Sequence, residues 1–195
     1  MGDDGSDAGD PAGARDTRPG WTVTAPSSPG EHVEDVLRLY LAAFSGPPWH
    51  AEVDGAEARR PTLTAHLGRR DVEVLVAHDD DGRLVGVTYG WPGAPAPPDG
   101  FHREVADALD PEDARRYLSA DAFELVELMV DPAVQGQGLG RALLRTVVGG
   151  RPAWLLTHPE GAGVRLYAAT GWRDAGGFTD ATGTPLRVHV RPAAG

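Results

Sequence analysis

Apolar and polar positions recur with helical or strand spacing over residues 21–191. Trp21-Thr22-Val23-Thr24 is β-branched and aromatic, which predicts a first strand ended by Pro26. Ser28-Pro29-Gly30-Glu31 reads as a capping box with proline at the first helical position. Val33, Val36, Leu37, Tyr40, Leu41 and Phe44 then follow at helical spacing until Gly46-Pro47-Pro48 stops the run. Residues 52–60 and 61–67 read as one broken helix or two short ones, closed by Gly68. Residues 72–78 and 84–91 form a hairpin around Asp79-Asp80-Asp81-Gly82, and 92–98 is a connection too rich in proline for sheet or helix.

Phe101, Val105, Ala108 and Leu109 predict a short amphipathic helix, and Asp110-Pro111-Glu112-Asp113 caps another, with Tyr117 and Leu118 turned inward. These roughly 30 residues read as an insertion before the main strand, either a lid or a support, and a candidate acceptor-site wall. The main strand spans 123–130, and the helix after it carries Leu139, Ala142, Leu143, Thr146 and Val147 on one stripe, ended by Gly149-Gly150. A buried strand at 153–157 precedes a helix at 160–170 ended by Gly171. Strands at 172–178 and 186–191 close the chain around a turn; the last could pair between subunits or simply complete the sheet, so monomer and homodimer both stay open.

The chemistry concentrates where the main strand meets its helix. Asp131-Pro132 ends the apolar run, and Gln135-Gly136-Gln137-Gly138-Leu139-Gly140 opens the helix. A helix N-terminus offers unpaired N–H groups to an anion, and glycines let a backbone approach its ligand closely. The dinucleotide fingerprint fails, because Arg141 stands where its third glycine belongs, and the phosphate loop of nucleotide hydrolases fails, because the chain has no lysine.

Composition narrows the field. With 195 residues and 41% hydrophobic content the chain suits one domain, 21–191, after an Asp/Gly/Ala/Pro/Ser-rich tail, 1–20, expected to be disordered. No apolar run approaches the roughly 18 residues of a membrane helix, and the first residues do not resemble a signal peptide, so a cytoplasmic location without membrane contact is expected. No cysteine is present, which removes disulfides, thiolate metal sites and a thiol-bound acyl intermediate. A net charge of -11 argues against nucleic acid and favours a cationic partner. His50, His78, His102, His158 and His189 are scattered without the i, i+4 spacing of a helical metal site, so no metal is expected.

The loop from Gln135 through Gly138 to Gly140 resembles that of the GNAT-type N-acetyltransferases: Gln or Arg, two residues, Gly, one residue, Gly or Ala. A second phrase agrees at the family's usual separation, Val164-Arg165-Leu166-Tyr167 leading to Gly171-Trp172. The segment Ala43 to His50 resembles the family's phrase between its first two helices. The resemblance implies an α/β (α+β) fold with a mixed, mostly antiparallel sheet of six to seven strands flanked by helices. It further implies acetyl-CoA as cosubstrate, transfer to a primary amine by direct attack in a ternary complex, and an acceptor entering near Trp49 and His50. The loop amides from Gln135, Gly136, Gln137, Gly138, Leu139, Gly140 and Arg141 would hold the pyrophosphate, and a backbone N–H near Met129 or Val130 would polarise the thioester. Tyr167 matches the tyrosine that protonates the departing thiolate. Glu160 stands where the family often has asparagine, and Gly163 where it has alanine, so that cofactor contact must differ.

An amine must lose its proton to attack, which calls for a base. Glu124 and Glu127 are the candidates; three apart on a strand, they are expected on opposite faces, with Glu127 nearer the thioester. His158 could relay a proton or simply cap. Glu52, Asp54 and Glu57 near the entry phrase favour a polycationic acceptor such as an aminoglycoside or polyamine. A non-catalytic acyl-CoA-binding or regulatory module is the alternative, and so is a longer acyl donor.

Overall fold

The structure, a computed structural model, describes residues 20–51, 53–93 and 100–193. Of the expected tail only Gly20 falls among them, and most of the proline-rich connection lies outside them. In chain order the elements are β1 (Trp21–Thr24), α1 (Val33–Phe44), α2 (Val53–Leu67), β2 (Glu73–Asp79), β3 (Leu84–Pro92), α3 (Gly100–Ala108), α4 (Pro111–Tyr117), β4 (Phe123–Val130), α5 (Leu139–Val148), β5 (Ala153–Thr157), α6 (Gly163–Ala168), β6 (Arg173–Thr179) and β7 (Pro185–Arg191). They build one seven-stranded sheet in the order β1-β2-β3-β4-β5-β7-β6. All pairs are antiparallel except β4 with β5.

Helices cover both faces. α1 and α2 bury Val36, Leu37, Leu39, Leu63 and Leu67 against Val87, Tyr89 and Met129. α5 buries Leu139, Leu143, Leu144, Val147 and Val148, while Thr146, expected on that stripe, is exposed. The helices α3 and α4 pack Val105, Leu109 and Tyr117 against Trp154, Val188 and Val190. The insertion is therefore a support beneath β5 and β7.

Several expectations need correcting. Ser28 precedes a 3-10 turn, Pro29–His32, and makes no side-chain cap bond, so the capping box does not form. α2 is one continuous helix containing Pro61, which lies exposed where the carbonyl it leaves unpaired can meet water. Pro92 is the last residue of β3, opposite Phe123. α6 is shorter than the expected 160–170. β7 is flanked by β5 and β6, so it offers no free edge to a second subunit.

One irregularity decides the site. Tyr89 pairs with Glu127 but the next residue, Gly90, pairs with Leu125, which leaves Val126 as an extra residue in β4. The extra residue reverses the alternation, so Glu124 and Glu127 share the face of Trp91 and Tyr89 instead of pointing to opposite faces. Gly90 makes this possible: a Cβ there would lie 2.1 Å from the Glu124 carbonyl oxygen and 2.6 Å from the Phe123 ring. Gly90→Ala is expected to cost about 2–4 kcal/mol, seen as a lower urea midpoint with unchanged slope.

Candidate active site

β4 and β5 pair only from Phe123–Ala153 to Leu125–Leu155. Beyond Leu125 the strands part, and the fork opens into a cleft of about 430 Å³. Its walls come from the end of α1 and the following loop, from β4 and β5, from the turn before α5, and from α6. The backbone of β4 supplies the fork's polar edge. The Asp131 N–H donates to the Val85 carbonyl at 2.9 Å, so strand alternation turns the amides of Leu128 and Val130 away from β3, toward the open side. The Met129 amide is turned toward β3, although Met129 itself lines the cleft.

The turn before α5 is fixed by its own side chains. Asp131 accepts from the Ala133 N–H at 2.9 Å and pairs with Arg83. The Gln135 side-chain amide donates to the Val130 carbonyl at 3.0 Å, so this side chain braces the turn against β4. Gly136 and Gly138 have φ of 77° and 90°, in the left-handed region that glycine enters without strain. The turn delivers the first amides of α5 to the cleft, where Gly138, Leu139, Gly140 and Arg141 all line it and no acidic residue occupies the first helical turn. Orphan N–H groups and the positive end of the helix dipole together suit an anion there. Val134 also lines the cleft and was not singled out from the sequence; Gln137 is exposed and does not line it.

At the other end of the fork, Glu127 and Tyr167 line the same cleft. The Glu127 side chain is 14% exposed, and burial pushes its carboxyl up to about 7, with Arg59 pulling in the opposite direction. Its backbone carbonyl takes the hydroxyl of the fully buried Thr88 at 2.9 Å. A carboxyl poised near neutrality suits a general base. Burial, reinforced by the Glu127 charge, raises the Tyr167 phenol above its ordinary value and keeps its proton on. The Tyr167 ring rests against Trp172 and His189. Gly163 fits around it, since a Cβ there would come within 2.8 Å of the ring. The glycine that departs from the family's alanine is thus matched to the tyrosine.

Glu124 has other partners. Its carboxylate accepts from the Trp91 indole at 3.0 Å and meets the His102 ring at 2.9 Å, outside the cleft lining, so it ties the insertion to the sheet. His158 sets its ring edge-on to Trp49 at 5.6 Å and accepts the Glu160 N–H on Nδ1 at 3.1 Å, a capping contact. Glu160 is exposed and away from the lining. Trp49 lines the cleft with Phe44 and Pro47, whereas His50, exposed with φ of 47°, does not. Asp54 and Glu57 are exposed on α2, Glu57 bound to Arg60, and Glu52 lies outside the described residues.

Sequence reasoning passed over Arg59, whose Nη2 sits 3.4 Å from Glu127. The signal was spacing: Arg59 lies three residues after Ala56 and four before Leu63, with His66 and Leu67 three and four beyond Leu63, so Arg59 falls on the inward stripe of α2.

The sequence pattern described as the Acetyltransferase (GNAT) family matches residues 33–171. This chain belongs to the GNAT acetyltransferase family. As a GNAT protein it is an acyl-CoA-dependent N-acetyltransferase, and the family uses acetyl-CoA. It is similar to the GCN5-like protein acetyltransferase Rv2170 of Mycobacterium tuberculosis, 31% identical over 182 residues that take in 76% of this chain and 84% of that protein. Among solved structures, the ribosomal-protein-S18-alanine N-acetyltransferase of Escherichia coli superposes with a TM-score of 0.60 at 16% identity, over 90% of this chain and 95% of the other. PaiA N-acetyltransferase of Thermoplasma acidophilum, in complex with coenzyme A, gives 0.55 at 12%, over 89% and 99%. At these identities the likeness is one of fold. Among the described residues no helix is long and apolar enough to cross a membrane.

Proposed function

We propose that the cleft binds acetyl-CoA along the fork and transfers its acetyl group directly to a primary amine entering beside Trp49. The observation that carries this reading is the joining, in one cleft, of an anion-suited helix start at Gly138–Arg141 with a near-neutral carboxyl at Glu127 and a proton-bearing phenol at Tyr167. The pyrophosphate lies against the turn, and the pantetheine arm extends the open edge of β4. The Val130 or Leu128 amide polarises the thioester oxygen as charge develops. Glu127 takes the amine's proton, the nitrogen attacks the carbonyl carbon, the carbon–sulfur bond breaks and Tyr167 protonates the leaving thiolate.

Two acceptor classes have support at this level. The net charge of -11 favours a small cationic amine in solution, although Asp54 and Glu57 stand outside the cleft. The Mycobacterium relative, described as a protein acetyltransferase, favours a protein-borne amine. The donor and acceptor parts are tested separately. Acetyl-CoA at 100 times its dissociation constant should stabilise the protein by about 2.7 kcal/mol, read as a higher Tm. Thiol release across an amine panel then reports transfer; no shift at millimolar acetyl-CoA overturns the donor assignment.

A further inference from the structure

Against Glu127, at the border of the acceptor end of the cleft and outside its lining, sits a cation for which acetyl transfer itself has no use. Arg59 holds its guanidinium carbon 4.7 Å from the centre of the Tyr40 ring, and 41% of its side chain is open. Its contact with Glu127 is single and long at 3.4 Å, and its Nε is buried with no hydrogen-bond partner among the described residues. A guanidinium offers five N–H donors, so most of its capacity for a planar anion is unspent. Beside it the cleft wall is apolar: Phe44, Pro47 and Trp49 line it, with Phe44 edge-on to Trp49 at 5.9 Å. Glu127 is the only carboxylate in that lining among the described residues.

This arrangement is poor for a polycation. A second ammonium would find no second carboxylate and would face Arg59 across a few ångströms. It suits a molecule that brings an amine and a carboxylate close together. In an α-amino acid the nitrogen and the carboxyl carbon are about 2.5 Å apart, a separation that can serve two protein groups 3.4 Å apart. Such a zwitterion is neutral overall, so the acidic surface does not repel it.

We propose that the acceptor is an amino carboxylic acid with an apolar or aromatic side chain. Its carboxylate rests on Arg59, its amine faces Glu127 and its side chain lies against Phe44 and Trp49. This rests on the acetyl-transfer reading of the cleft. The nitrogen–acetyl bond forms, the carbon–sulfur bond breaks, the amine proton goes to Glu127 and the thiolate takes the Tyr167 proton. The products are the N-acetylated acid and coenzyme A, with the carboxylate unchanged.

The test compares L-phenylalanine, L-tryptophan, L-leucine and L-methionine, each with its amide and its decarboxylated amine, and adds spermidine. Rates at fixed acetyl-CoA are measured for the wild type, Arg59→Ala and Arg59→Lys, with the acetyl-CoA-induced Tm rise verifying that each variant is folded. At least one free acid should exceed its amide and its amine in kcat/KM by roughly 10- to 100-fold, the worth of a charge-assisted contact. That ratio should collapse to within about threefold in Arg59→Ala and recover in part in Arg59→Lys. Equal or better use of the amines, of spermidine, or of the amides that stand in for a polypeptide N-terminus overturns the proposal and leaves acetyl transfer intact. Turnover of none of them overturns it as well, and the acetyl-CoA Tm rise says whether the donor assignment falls with it.

Discussion

Glu127→Gln is expected to lower kcat/KM for an amine acceptor by about 10²- to 10⁴-fold, the usual contribution of a positioned base. The wild-type rate should rise with pH through an apparent value near 7, because burial holds the Glu127 carboxyl at about 7 and only its ionised form accepts the proton. In the variant that limb should be gone. Stability separates this from a folding defect. A carboxyl whose folded value is raised binds more protons in the folded than in the unfolded state between about 4.5 and 7, so its contribution to stability declines as pH climbs through that window. Glutamine carries no such penalty, and the stability difference between variant and wild type should therefore move in the variant's favour from pH 5 to pH 8. An unchanged kcat/KM with an unchanged profile would remove Glu127 from the mechanism.

Tyr167→Phe is the second large effect, a fall in kcat of about 10²-fold with little change in acetyl-CoA affinity. The substitution keeps the ring that packs on Trp172 and His189 and deletes only the hydroxyl. Because the Tyr167 phenol is held in its protonated form by burial and by the Glu127 charge, it is a donor over the whole working pH range. Turnover within a few-fold of wild type, measured by thiol release, would contradict the acid role.

Much of this architecture is legible in the sequence because local rules carry it. The turn glycines, the Asp-Gly hairpin and the apolar stripes of α1 and α5 each announce themselves over a few residues, and the resemblance carried by Gln135–Gly140 and Tyr167–Trp172 links two of them to one chemistry. What escaped was set by tertiary context. The shared face of Glu124 and Glu127 depends on a strand irregularity that Gly90, 34 positions before Glu124, makes room for on the neighbouring strand. Period-2 counting has no access to it. Arg59 was hidden for the opposite reason: a charged residue on an inward stripe reads as a break in the pattern, although its spacing from Ala56 and Leu63 placed it correctly. Ser28 illustrates the limit of a motif, since the box residues are present and the cap bond is not.

The central claim is that the β4–β5 fork and the turn before α5 hold acetyl-CoA. Backbone amide spectra recorded through an acetyl-CoA titration test it directly. The largest saturable shifts should fall on Gly136, Gly138, Leu139 and Gly140 at the turn and on Leu128 and Val130 along the open edge of β4. Shifts that cluster elsewhere, or spectra unchanged at millimolar acetyl-CoA, would contradict the claim.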